Sequence, residues 1–220
     1  MVGNIKIYIL ICILIIIFII NELYIKETMI SHKVNNKEFK VYDKFQNYRG
    51  AADILYEIDN RIHKLFKHLN DKYILPKKQI DEVLKKRLVK MISTYKTHHL
   101  KENFPAEHLG IGKKPDSSFT LNKKNMSICL RDDESKKFHD INDIMFVVIH
   151  EMSHILNPTY GHPRQFWIYM KFLLHESAEL GIYNPVDYRN NNIKYCNTNL
   201  TANPYFNKME CNIGIPHTCY

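Results

Sequence analysis

Residues 144–156 read IMFVVIHEMSHIL, an apolar run with two histidines and a glutamate set into its second half. Asp140 or Asn142 is placed to cap a helix here, since such side chains accept from the first unpaired N–H groups. Asn157-Pro158 is placed to end it, because proline removes a donor and clashes with the preceding turn. On a helix, positions i and i+4 lie about 40° apart, so His150 and His154 share a face and both imidazoles reach one metal ion. Glu151 stands beside them, where a carboxylate takes a proton from an activated water and passes it to a leaving amine. Met145, Val148, Ile149, Met152 and Leu156 face the other way. The helix is predicted to be apolar behind and metal-binding in front, with one Zn2+ as the expected cofactor.

A catalytic zinc site takes three protein ligands and leaves a position open. Pro158 stops the helix and Gly161 permits a reversal, which brings His162 to the start of the next helix facing the metal. Glu176 and Glu179, on that helix within residues 174–179 (LHESAE), are the alternatives and would supply a carboxylate as gluzincins do. The metzincin spacing is excluded, because Asn157 and Tyr160 stand where its glycine and third histidine belong. Tyr160, between the ligands, is a candidate donor to the oxyanion. Arg131 is a candidate substrate contact. His98, His99, His139 and His175 read as packing residues.

Upstream, residues 118–131 (SFTLNKKNMSICLR) read as two short strands joined by a polar turn at residues 122–125. A substrate peptide is expected to add as an extended strand along the edge of this hairpin. Leu55, Ile58, Ile62, Leu65 and Leu69 recur every three or four residues and predict a helix ending before Pro76. A second helix is expected over about 79–95 and a loop over 98–117. After His162, Pro163 opens a largely buried helix over residues 166–180 that Gly181 closes. Residues 182–220 read as loops.

At the amino end, residues 7–20 (IYILICILIIIFII) are unbroken apolar sequence. Fourteen residues of helix span roughly 21 Å against a hydrocarbon core of about 30 Å, so Lys6 and residues 23–25 must help. Residues 1–25 are therefore expected to be an uncleaved single-pass anchor, in the membrane through residues 5–25. Lys26, Lys33, Lys37 and Lys40 follow it, and the positive-inside tendency then places the domain on the cytosolic side. Residues 26–49 read as a polar stalk, and residues 50–220 as one domain with its catalytic core at about 118–190.

The formal charge of +8 draws nucleic acid or anionic lipid at low salt, but the lysines are scattered in pairs and no nucleic-acid-binding motif accompanies them. Of the five cysteines, Cys129, Cys196, Cys211 and Cys219 fall in the domain, with no CxxC, and allow anything from none to two disulfides.

His150-Glu151-Met152-Ser153-His154, a break, and then Gly161-His162-Pro163-Arg164-Gln165-Phe166-Trp167 resemble the WLM and SprT-like zincins, and look closest to WLM-like predicted proteases of large DNA viruses. The resemblance covers roughly residues 118–190. It implies an α+β fold of minigluzincin type, with a small antiparallel hairpin or sheet packed on the HExxH helix and further helices around it. It also implies zinc on His150, His154 and His162 with Glu151 as general base. The expected function is a membrane-anchored zinc metalloendopeptidase acting on protein or peptide substrates. Two alternatives stand beside it: a catalytically silent, zinc-stabilised structural membrane or virion protein, and a nucleic-acid-associated protease of the DNA–protein crosslink type.

Overall fold

Met29–Val34 and Lys37–Tyr42 pair as an antiparallel hairpin, β1 and β2, where a stalk was expected. Asn35 and Asn36 account for the difference. Both hold positive φ, 47° and 65°, the left-handed pair that a tight two-residue hairpin turn requires and that asparagine tolerates. Phe39 and Val41 are fully buried, so this segment belongs to the core. These features come from a computed structural model that describes residues 11–16, 29–75, 80–103, 118–121, 125–132, 134–208 and 214–217.

The helical periodicities hold. α1 is Tyr48–Leu69, capped by Asn47, whose side chain accepts from the Gly50 N–H. Its Leu55, Ile58, Ile62, Leu65 and Leu69 are fully buried. A wide turn at Asn70–Ile74 closes with the Leu75 N–H on the Asn70 carbonyl. α2 is Glu82–Thr94, capped by Asp81. β4, Phe119–Leu121, and β5, Asn125–Cys129, form the expected antiparallel hairpin.

The sheet is larger than that hairpin. β3, Leu100–Asn103, occupies part of the expected loop, and the strands run in the order β1-β2-β3-β5-β4, with β3 parallel to both β2 and β5. Parallel pairing needs a long crossover, which α1 and α2 supply between β2 and β3. The fold is thus α+β around a five-stranded mixed sheet.

β3 is pinned by a buried charge pair. Glu102 accepts from the Tyr42 N–H at 2.9 Å and from Arg131 Nε at 2.8 Å, while Arg131 Nη2 donates to the Asn47 carbonyl at 2.8 Å. The guanidinium lies over the Phe45 and Phe138 rings. Arg131 is therefore an internal strut, only 3% exposed, and not the substrate contact expected of it.

α3, Ile141–Leu156, begins at Asp140, whose carboxylate accepts from the Asn142 N–H at 2.7 Å. α4, Arg164–Glu179, starts just after Pro163 and ends ahead of Gly181, whose φ is +65°. α1 packs along β1, β2 and β3, while α3 packs along β4 and β5 and against α4. A short hairpin, β6 (Ile193–Tyr195) and β7 (Thr198–Leu200), interrupts the expected terminal loop. Cys196 in its turn is disulfide-bonded to Cys129 at the end of β5. Cys211 and Cys219 lie outside the described residues.

Of the apolar amino end, residues 11–16 are helical, and the rest of residues 5–25 lies outside the described residues. Among the described residues no helix is long and apolar enough to cross a membrane.

Candidate metal centre

α3 carries His150 and His154 one turn apart, and the chain then reverses to bring His162 over them. Asn157 organises the reversal by donating to the Thr159 carbonyl and hydroxyl at 2.9 and 3.1 Å. Gly161 completes it at φ +74°, a conformation that strains any residue with a Cβ. The result is three Nε2 atoms facing one point: His150 to His154 at 3.2 Å, His150 to His162 at 3.0 Å, and His154 to His162 at 3.2 Å. Phe166, fully buried, sets its ring centroid 4.5 to 4.9 Å from all three imidazoles and backs them.

This donor set fits zinc. Tetrahedral Zn–N bonds of about 2.0–2.1 Å separate neighbouring nitrogens by about 3.3 Å, close to the spacing seen. Burial, and then the flanking His154 and His162 rings, push the His150 imidazole down to about 3. Burial also lowers His162. Both rings are thus held neutral, each with a lone pair available to a cation.

Two other groups of ligand-type side chains occur among the described residues, and neither offers an open site. Cys129 and Cys196, beside His139, are joined to each other. Glu176 and Glu179, beside His68, are already engaged by protein cations. Lys72 reaches Glu176 at 3.0 Å and Glu179 at 2.5 Å. Glu176 is fully buried and also accepts from Tyr73 at 2.6 Å, with His68 at 2.6 Å and His217 at 2.7 Å. Burial pushes its carboxyl up, but His217, Tyr73, Lys72 and His68 outweigh it and bring it to about 2. Glu176 and Glu179 are therefore removed as third-ligand candidates. Their work is to tie α4 to the end of α1 and to the C-terminal segment. His175, expected to pack, stacks on Tyr205 and His217.

Glu151 is 4% exposed and accepts from the Thr120 hydroxyl at 2.8 Å. Thr120 lies on β4, the edge strand, so the sheet holds the carboxylate in place. Nothing in the spacing around the HExxH run points to Thr120. The one available signal is the period-two alternation of the hairpin, which sets Ser118 and Thr120 on one face. A cavity of about 200 Å³ opens here, lined by His150, Glu151, Phe146, Val147, Tyr195 and Leu200. Its far wall thus comes from the β6–β7 hairpin, which the disulfide fastens to β5. Tyr160 stands 96% exposed on the turn between His154 and His162 and does not line this cavity.

The comparisons place the chain in a family. The WLM domain profile matches residues 76–204, more than half of the chain. Uncharacterized protein R325 of Acanthamoeba polyphaga mimivirus is 32% identical over 197 residues, covering 87% of this chain and 92% of that protein. Uncharacterized protein 042R of Invertebrate iridescent virus 3 is 43% identical over 68 residues, covering 31% of this chain and 43% of its own. Uncharacterized protein 136R of Invertebrate iridescent virus 6 is 38% identical over 68 residues, covering 30% of this chain and 38% of its own. No solved structure gives a significant match.

Proposed function

The chain belongs to the WLM domain family, and from that premise we propose that it is a zinc-dependent endopeptidase held to a membrane by residues 5–25. The observation that carries this reading is the convergence of the His150, His154 and His162 Nε2 atoms within 3.2 Å of one another, next to a buried glutamate that is not among them. A zinc ion held by those nitrogens supplies Lewis acidity, acidifying a water and polarising a peptide carbonyl. Glu151 then accepts the proton of the attacking water and delivers it to the departing amine. Thr120 keeps one Glu151 oxygen engaged, which orients the other for the transfer. The backbone of β4 is the natural rail for an extended substrate, since among the described residues it is an edge strand of the sheet and lies against Glu151.

A carboxylate is not needed to hold zinc on three histidines, so its burial beside them favours catalysis over a purely structural metal. The Cys129–Cys196 bond favours an oxidising environment for the domain, against the cytosolic side suggested by the lysines.

The test is zinc content of the full-length protein and cleavage of an unfolded protein substrate, for the wild type and for Glu151→Gln. One zinc in each, with cleavage by the wild type alone, supports the reading. No zinc in the wild type would sink it, and zinc without cleavage in either would leave a structural metal.

A further inference from the structure

Cys129, His139 and Cys196 are far apart in the sequence and form no CxxC, yet the fold brings them to one place. Cys129 ends β5, and Cys196 sits in the β6–β7 turn at φ 52°. His139, just ahead of α3, is pinned beside β5 by its own N–H, which donates to the Leu130 carbonyl at 3.0 Å. Its ring stacks on Tyr195 with centroids 4.6 Å apart, which fixes the direction of the ring nitrogens. Nε2 accepts the Cys196 N–H at 3.1 Å and lies 3.4 Å from Cys196 Sγ. An accepting Nε2 carries its lone pair there, the state in which an imidazole binds a metal.

This arrangement suits a tetrahedral ion as well as it suits a disulfide. Zn–S bonds of about 2.3 Å and Zn–N bonds of about 2.0–2.1 Å set sulfur and nitrogen about 3.6 Å apart, near the 3.4 Å between Cys196 and His139. All three ligand atoms lie within 4.8 Å of one another. The Cα atoms of the two cysteines are 6.6 Å apart, toward the wide end of what a disulfide bridges. Once the bond is broken, the sulfurs can therefore part by side-chain rotation with the strands in place. The Arg131 carbonyl oxygen, 3.3 Å from Cys129 Sγ and 3.5 Å from Cys196 Sγ, stands near the fourth corner. We propose that the reduced chain binds a second zinc ion on Cys129, His139 and Cys196, so that the β6–β7 hairpin is clasped to β5 by a disulfide under oxidising conditions and by zinc under reducing ones. A dithiol reductant is oxidised to its own disulfide, and the two sulfurs of the Cys129–Cys196 bond gain two electrons and two protons to become thiols. Zinc then displaces both protons as the thiolates bind it. The ion takes the Nε2 lone pair from the Cys196 N–H, a loss of one hydrogen bond that is small beside two metal–thiolate bonds. Thiolate ligands favour zinc over magnesium or calcium. Either clasp keeps Tyr195 and Leu200 in the wall of the Glu151 cavity. The site does not depend on the peptidase reading above.

The experiment uses the full-length protein in a nonionic detergent, carrying Cys12→Ser, Cys211→Ser and Cys219→Ser so that Cys129 and Cys196 are the remaining cysteines. It is reduced with a phosphine, which becomes its oxide while water supplies the oxygen and both protons, and two titratable thiols confirm the reduction. Co2+ is then titrated as the probe. The His150, His154 and His162 centre contains no sulfur, so a sulfur-to-cobalt charge-transfer band in the near ultraviolet reports on the new site alone. The band should be absent before reduction and saturate at one ion per chain after it, and Zn2+ should abolish it. It should be lost in Cys196→Ser and require at least about tenfold more cobalt in His139→Gln. No band with both thiols present overturns the proposal. So does a band of unchanged affinity in His139→Gln, or one that appears only when circular dichroism shows the chain unfolded. A band at this site with no cobalt taken up by the three histidines would sink the metal centre of the peptidase reading and leave this site standing.

Discussion

Thr120 donates its hydroxyl proton to Glu151 across 2.8 Å, so the edge strand and the metal-facing helix meet at the carboxylate itself. Thr120→Val keeps the shape and deletes the donor. Zinc content should be unchanged and kcat should fall about tenfold with KM little altered, in the range seen when a supporting hydrogen bond at a metal site is lost. Thr120→Ser should restore most of the rate. Unchanged kcat in Thr120→Val would show that Glu151 is oriented by something else.

His162 arrives from a separate turn, and its position depends on Gly161 at positive φ. Saturating zinc, at about a thousand times Kd, should stabilise the wild-type fold by about 4 kcal/mol. In His162→Ala that gain should largely vanish, as read from melting temperature with and without a chelator. A full zinc-dependent shift in the variant would remove His162 from the ligand set.

The Arg131–Glu102 pair is buried on both sides, with side-chain exposures of 3% and 0%. Burial raises the Glu102 carboxyl, and the Tyr42 N–H and Arg131 pull against that rise. Arg131→Met leaves this carboxylate without its cation and should cost about 3–5 kcal/mol in urea unfolding. Adding Glu102→Gln should recover part of the loss. A cost below about 1 kcal/mol would mean that β3 is held by its ladder alone.

For Glu176 the folded carboxyl, at about 2, lies below its ordinary value near 4.5. Its stabilising contribution is therefore complete above pH 4.5 and fades as the pH falls from there toward 2. The loss across that window is roughly 3 kcal/mol. Stability measured from pH 6 to 2 should show this slope in the wild type and a shallower one in Glu176→Gln, which starts from a lower plateau. Parallel slopes would assign the acid loss to other groups.

Cys129 and Cys196 close a loop with a sequence separation of 67. Reducing them should lower stability by about 2–4 kcal/mol. Because Tyr195 and Leu200 wall the Glu151 cavity, reduction should also raise KM more than it lowers kcat. Identical KM before and after dithiothreitol would detach the hairpin from substrate binding.

The candidate metal-binding face was legible because its determinants are local: the i, i+4 histidines, the proline stop and the glycine reversal all lie within residues 150–162. The features that sequence reading missed rest on partners far along the chain. Residues 29–42 looked like a stalk because lysines alternate with the few apolar residues, although Asn35-Asn36 is itself a hairpin signal. β3 escaped notice because its buried Glu102 breaks the strand pattern until Arg131 is placed beside it. Glu176 resembled a ligand on an apolar helix, yet its partners are His68, Lys72 and Tyr73, more than a hundred residues earlier, and His217 in the C-terminal segment. Arg131 read as a candidate substrate contact because its partners Glu102 and Asn47 likewise lie far along the chain.

Replacing the stalk by β1 changes how far the proposed peptidase can reach. The apolar segment ends at residue 25 and β1 starts at Met29, so only residues 26–28 separate the proposed anchor from the sheet, a leash of about 10 Å when taut. β4 lies at the opposite edge from β1, four strand spacings or about 19 Å away. With residues 5–25 embedded, cleavage is confined to a layer some 30 Å deep above the lipid, and height above the bilayer becomes a filter on substrates that acts before any side chain is recognised.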